Sequence, residues 1–196
     1  MGSIILLAEP LSISSLAWLL AVSEAVIDRR LVSLYSVLSV PTSAESPVCM
    51  FYLSFWDFLI DPEKRCTNPF WVDEKATYER MATRCLELLS GSRHLRKDIC
   101  NVAMSGIACI EADLAVIELA LLADICYACL YWVYYVEQSG ARMTESHLAY
   151  HFLQHYLLYW LEALALLGKI SDSVTMIKSL QALSSVSYTN DILNIC

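Results

Sequence analysis

The chain has 196 residues, of which 57% are apolar, and it carries a formal net charge of −8. Soluble domains usually contain about 45–50% apolar residues, so we expect this chain to pack against a membrane, another subunit or more of the same polypeptide. Its thirteen Lys and Arg residues are scattered without a basic stripe, which argues against nucleic-acid binding.

The cysteines and the first residues bear on the cellular compartment. The eight cysteines show no regular spacing, and several lie within apolar helical patterns. We interpret them as reduced, buried residues of an intracellular protein. The start, "MGSIILLAEP", lacks the basic region and the long apolar run of a signal peptide, and Leu6 stands where a myristoylation signal has Ser or Thr. We therefore expect a cytoplasmic protein.

The first third of the chain predicts two helices, a strand and a short helix. Between residues 11 and 38, one helix begins at Ser12 or Ser14 and a second begins after the N-cap Ser23, continuing to Leu38. "PTSAESP", residues 41–47, predicts a loop. Residues 48–53 predict a strand, and Ser54 is expected to cap a helix that ends before the Asp-Pro pair at 61–62.

The remaining two thirds predict helices throughout. A helix over 73–89 is the clearest, because six of its apolar residues share one face: Tyr78, Met81, Ala82, Cys85, Leu88 and Leu89. Residues 110–138 predict one long helix or two abutting ones, and 144–167 predict another that ends at Gly168. Ser171 or Asp172 is expected to cap a last helix to Leu183. The chain is therefore predicted to be mainly α, with at most one short β element.

Signatures of nucleotide chemistry and of acyl transfer do not occur. The five glycines cannot be arranged as G-x-x-x-x-G-K-[ST] or G-x-G-x-x-G, and there is no G-x-S-x-G. Glu118 and Asp124 could be nominated as an acid–base pair, but six residues apart on a helix they do not share a face. We predict no catalytic residue and no cofactor.

Two groups of residues could bind a metal. His147, His151 and His155 are spaced four apart on a predicted helix, where neighbouring imidazoles can share a metal ion. No further ligand can be assigned, so surface or half-buried histidines are the favoured interpretation. Cys126 and Cys129 form one C-x-x-C, but a zinc ribbon needs a second pair and a redox motif needs a βαβ context. Core packing is favoured, and we predict no metal site.

Residues 114–136 are apolar and long enough to span a bilayer. Glu118 and Asp124 would then lie within the hydrocarbon, where acidic side chains are costly. No Lys or Arg between Lys97 and Arg142 could set an orientation. A buried helix of a larger helical assembly is favoured, and a membrane-associated helical protein built on 114–136 is the alternative.

Long phrases of the sequence resemble fungal NACHT proteins of the vegetative-incompatibility type. The resemblance covers roughly residues 3–183. The phrases that carry it are "PLSISSLAWLL", "FYLSFWDFLIDPEKRCTNPFWVDEK", "MATRCLELLSG", "YACLYWVYYVEQSGAR" and "FLQHYLLYWLEALALLGKISDSVTMIKSLQAL".

The family implies an organisation for this chain. Such proteins are signal-transduction ATPases, similar in plan to NOD-like receptors, in which a NACHT module is followed by a winged helix, a helical region and often a WD-repeat propeller. The resemblance implies a winged-helix-like domain over 1–65, with two helices and a short β element. It further implies a helical arm over 66–183 and an unstructured or truncated tail over 184–196. We expect a non-catalytic fragment of that architecture, a truncated gene model or a degenerate paralogue.

One position departs from the family pattern. Before "LSF-x-(D/E)-F" the family commonly has a histidine that reaches the nucleotide phosphates and senses ADP. Here that position is Tyr52, which can donate a hydrogen bond but cannot become cationic. The resemblance therefore implies a degenerate nucleotide-sensing residue. Its implied partners are the NACHT module and the repeat domain of the parent architecture, or a second copy of the chain.

Overall fold

A computed structural model describes residues 2–32, 34, 36–39, 43, 46–50, 53–91, 95–99 and 121–184. The protein is mainly α-helical, as the sequence predicted. Its contacts divide it into two compact units, Met1–Met81 and Ala82–Cys196. The domain boundaries that the resemblance implies stay predictions.

The first unit contains short helices and one small β ladder. Ser12, one of the two serines predicted to begin the first long helix, is its N-cap. The Ser12 hydroxyl oxygen accepts a hydrogen bond from the Ser15 backbone N–H at 3.2 Å. The elements are α1 (Gly2–Ile5), α2 (Ile13–Leu20), α3 (Glu24–Val32), β1 (Leu38–Ser39), β2 (Cys49–Met50), α4 (Leu53–Ile60) and a 3₁₀ turn (Pro62–Lys64). The helix α5 (Glu74–Gly91) begins in this unit and ends in the second.

The predicted continuation of the second helix to Leu38 was wrong. Helix α3 ends at Val32, and Leu38 lies in β1, where it pairs with Met50 in an antiparallel ladder. A buried Leu fits a helix and a strand equally well, and Leu38 also has helical spacing from Leu31. The pattern therefore could not indicate a strand, whose partner Met50 lies further along the sequence. The core of the unit joins α2, α3 and the ladder: Ile13, Leu16, Ala17, Ile27, Leu31, Leu38 and Val48.

The second unit includes a bundle of three helices that contact one another pairwise: α6 (Ala123–Ser139), α7 (Leu148–Leu166) and α8 (Ile170–Leu183). Helix α7 begins later than predicted, because His147 is its N-cap. It ends as predicted before Gly168, which adopts a φ of +68° that favours glycine. The prediction that Ser171 or Asp172 caps α8 was wrong, since α8 begins at Ile170 after Lys169.

Two tryptophans form the centre of the bundle. The rings of Trp132 on α6 and Trp160 on α7 are completely buried and pack edge to face, with 5.2 Å between their centroids. Phe152 packs on Trp132 in the same manner at 5.3 Å. The Trp160 indole N–H donates a hydrogen bond to the carbonyl oxygen of Cys129 at 2.9 Å. The Trp132 indole N–H is buried, and no residue in the described part of the chain accepts a hydrogen bond from it. The aromatic contacts and this one hydrogen bond therefore join α6 to α7.

The difference between the two indole N–H groups predicts that two matched substitutions will lower the free energy of unfolding by different amounts. Trp160→Phe and Trp132→Phe remove the same atoms from equally buried sites, but only Trp160→Phe loses a hydrogen bond. Trp132→Phe removes a buried donor that has no acceptor. We expect the free energy of unfolding, measured by urea denaturation, to fall by about 1–3 kcal/mol more for Trp160→Phe. Equal losses, or a larger loss for Trp132→Phe, would contradict this arrangement.

Candidate interaction site

Tyr52, which the resemblance implies is a degenerate nucleotide-sensing residue, lies outside the described residues. In the sequence it falls between the end of β2 at Met50 and the start of α4 at Leu53. The prediction that Ser54 caps this helix was wrong, because Ser54 is already inside α4. The end of the helix was predicted correctly, since α4 stops at Ile60, directly before Asp61 and Pro62.

The stretch that follows α4 folds back onto it through two hydrogen bonds, and a third orders the turn within the stretch. The Asn68 side-chain amide donates to the Phe58 carbonyl oxygen at 3.1 Å, and its oxygen accepts from the Phe70 backbone N–H at 2.9 Å. The Val72 backbone N–H donates to the Leu59 carbonyl oxygen at 2.8 Å. Asn68 is itself buried. These bonds connect the stretch after α4 to the helix. We call the whole of residues 53–72 the aromatic segment.

The inner side of the aromatic segment is apolar and closely packed. Gly2 lies so close to Val72 that a Cβ atom on Gly2 would stand 2.6 Å from a methyl carbon of Val72. A cavity of about 10 Å³ lies here, whereas small-molecule sites span about 300–1,000 Å³. This cavity is too small for a nucleotide. Its lining residues are Ile4, Ile5, Leu34, Leu38, Phe55, Leu59, Phe70 and Val72.

The outer side of the aromatic segment combines exposed aromatic rings with cations. Phe58 is 42% exposed, and Phe70, which also lines the cavity on the inner side, is 58% exposed. The Lys64 ammonium lies 5.2 Å from the centre of the Phe58 ring, and the Arg65 guanidinium lies 5.0 Å from the centre of the Trp71 ring. Such cation–π contacts contribute about 0.5–1 kcal/mol each at exposed sites. They hold Lys64 over the exposed Phe58 ring and Arg65 over the half-buried Trp71 ring.

Asp61 orders the turn that carries Lys64. Its carboxylate accepts a hydrogen bond from the Glu63 backbone N–H at 3.0 Å and pairs with the Lys64 ammonium at 2.9 Å. The hydrogen bond from Lys64 and that from the Glu63 backbone lower the pKa of Asp61. Asp61 thus stays ionised at neutral pH and fixes the turn between the two phenylalanines.

The sequence did not single out the residues of this site. Phe58, Lys64, Arg65 and Trp71 are residue types that are common in helices and turns, so the sequence alone does not indicate that Lys64 lies over the Phe58 ring and Arg65 over the Trp71 ring. One local signal was present. Asn68 precedes Pro69, and an Asn side chain at such a position commonly accepts from the backbone N–H two residues on, as it does here from Phe70.

The histidines and cysteines of the sequence analysis are positioned as follows. His151 and His155 are exposed on α7, and His147 is half-buried. Within the described part of the chain, no three His, Cys, Asp or Glu residues are grouped so that they could hold a metal ion.

Cys129 is buried and Cys126 half-buried, and burial raises the pKa of both thiols. These thiols stay protonated at neutral pH, in agreement with a packing role. The prediction that the cysteines are buried was wrong for Cys49 and Cys66, which are exposed.

The apolar stretch 114–136 is described only from residue 121 onward. Glu118 lies outside the described residues, so its pairing with Asp124 is untested. Asp124 is half-buried, and its Oδ1 atom has no hydrogen-bond partner among the described residues. None of the helices in the described ranges combines the length and the apolar character that a membrane crossing requires.

Comparison with known proteins gives no relative. No family model matches this chain, and neither a curated protein nor a solved structure matches it.

The hydrogen bonds of Asn68 lead to a prediction about stability. Asn68→Ala removes a buried donor and a buried acceptor and leaves the Phe70 N–H without this partner. We expect the free energy of unfolding to fall by about 2–3 kcal/mol. The neighbouring Thr67→Ala is the control, because Thr67 is exposed and exposed substitutions usually change stability by less than about 0.5 kcal/mol. Urea denaturation measures both, and similar small losses for the two variants would contradict the role of Asn68.

Proposed function

We propose that this chain is a non-catalytic regulatory segment of a NACHT-type signal-transduction protein of the NOD-like receptor type. It transmits the nucleotide state of an NTPase module to a repeat domain through protein contacts, in fungal self/non-self recognition and cell-death signalling. The phrases of sequence that resemble this family support the proposal. The order of elements from α2 through β1 and β2 to α4 is compatible with the winged-helix-like domain that the resemblance implies.

The observation that carries the proposal is the outer side of the aromatic segment. Phe58 and Phe70 expose apolar rings, Lys64 lies over the Phe58 ring and Arg65 lies over the Trp71 ring. All of these residues lie within one of the phrases that carry the resemblance. Aromatic residues and arginine are enriched where proteins bind one another. The segment therefore offers apolar area for affinity and two cations that favour an acidic partner surface.

The chemistry of the segment favours contact over catalysis. NTPase activity belongs to the P-loop module of the family, and no P-loop can be drawn in this sequence. The cavity beneath the aromatic segment is too small for a nucleotide, so this part of the protein acts on a neighbouring module by binding it. The partner is the NACHT module in the cytoplasm, and a second copy of this chain takes its place when the module is absent.

This function predicts self-association of the isolated chain through the aromatic segment. We expect oligomers in sedimentation velocity, and we expect Phe58→Ser combined with Phe70→Ser to weaken association at least about tenfold, because apolar burial contributes about 25 cal/mol per Å². Leu158→Ser is the matched control, since Leu158 is 63% exposed on α7 in the other unit, and it should leave association unchanged.

Two outcomes would overturn the proposal. One is a wild-type chain that sediments as a single monomer and whose melting temperature rises when ADP is added. The other is an association that Leu158→Ser weakens as much as the double phenylalanine variant does.

A further inference from the structure

The exposed face of α7 carries two histidines one helical turn apart. His151 and His155 are both exposed. Residues four apart on a helix lie on the same face with about 5–6 Å between their Cβ atoms. Two imidazoles at this spacing can reach a single metal ion, as the two histidines of helical zinc motifs do.

The hydrogen bond of His155 prepares its ring for metal binding. The Nδ1 atom of His155 lies 2.9 Å from the His151 carbonyl oxygen. A carbonyl oxygen can only accept, so Nδ1 carries the proton and donates. In the neutral ring this leaves the lone pair on Nε2. Metal-binding histidines in proteins commonly have this arrangement, in which one ring nitrogen donates to a backbone carbonyl and the other binds the ion.

His147 lies one helical turn before His151 and has a capping role instead. It is the N-cap of α7, and its Nδ1 atom accepts a hydrogen bond from the Ala149 backbone N–H at 3.1 Å. In the neutral ring the proton must then lie on Nε2, so neither nitrogen has a free lone pair. The capping role therefore separates His147 from the pair formed by His151 and His155.

The surroundings of the pair suit a cation. The sequence has no Lys or Arg between Arg142 and Lys169, so no basic residue of α7 opposes a positive ion. Glu162, the carboxylate of α7, accepts hydrogen bonds from the backbone N–H groups of Ile99 and Asp98 at 2.8 and 3.3 Å. Glu162 is therefore occupied by the loop at 95–99, and the two imidazoles are the ligands that α7 provides.

We propose that His151 and His155 together bind a divalent late transition-metal ion, of which Zn²⁺ and Cu²⁺ are the ions that imidazole ligands suit. The chain supplies two ligands. Water or a donor group from another molecule fills the remaining coordination positions. The site is independent of the function proposed above, because it lies on α7 and not on the aromatic segment.

Titration calorimetry of the full chain with ZnCl₂ tests this site. We expect saturable binding that His151→Ala and His155→Ala each weaken at least about tenfold, because a single imidazole cannot chelate. Both residues are exposed, so the variants should keep the wild-type helix content in circular dichroism. His147→Asn is the control, because Asn preserves an N-cap while removing the imidazole, and its affinity should equal that of the wild type.

The proposal fails in either of two cases. If the His151→Ala, His155→Ala double variant binds Zn²⁺ as tightly as the wild type, the ligands are other groups, such as the thiols. If His147→Asn weakens binding as much as His155→Ala does, then His147 is a ligand and the assigned pair is wrong.

Discussion

The constraint on which this structure depends is the division of a strongly apolar chain into two compact units. Two small cores bury a smaller fraction of their surface than one large core of the same total size. Some large apolar side chains must then remain in contact with solvent. Trp18, Phe58 and Phe70 in the first unit and Leu158 and Val174 in the second are more than one third exposed. The apolar excess thus appears on the surface, where it can bind partners.

The two units differ in the hydrogen bonds that their buried polar groups form. The first buries one amide, Asn68, whose side chain donates to the Phe58 carbonyl oxygen of α4 and accepts from the Phe70 N–H. In the second, the indole N–H of Trp160 donates to a backbone carbonyl oxygen of the neighbouring helix. Among the residues that the structure describes, Trp71 and Trp132 keep a buried indole N–H without an acceptor. Such groups are uncommon in proteins and cost stability.

Local signals in the sequence predicted one end of several helices. The serine before α2, the Asp-Pro pair after α4 and the glycine after α7 each act on their own neighbourhood, so the residue types alone indicated these ends. Leu38 was placed in a helix because its burial fits both conformations, and only the distant partner Met50 makes it a strand residue. Element type depends there on a non-local contact that a periodic pattern does not contain.

Contacts that a sequence pattern does not contain also limited what could be predicted about the candidate sites. The sequence predicted His151 and His155 to be surface or half-buried residues, and both are exposed. The distinct role of His147 depends on where α7 begins, which the pattern placed several residues too early. The contacts of Lys64 with Phe58 and of Arg65 with Trp71 depend on how the chain folds after α4, which the residue types alone do not indicate. Tyr52, which the resemblance singled out, lies outside the described residues.

Hydrogen–deuterium exchange at low and high protein concentration tests most directly whether the aromatic segment is a protein-binding surface. Exchange slows where association covers the backbone or stabilises it. Our account predicts that concentration-dependent protection is centred on residues 53–72, while the amides of α6, α7 and α8 exchange at unchanged rates. Protection that appears on α7 and α8 and leaves residues 53–72 unchanged would contradict it.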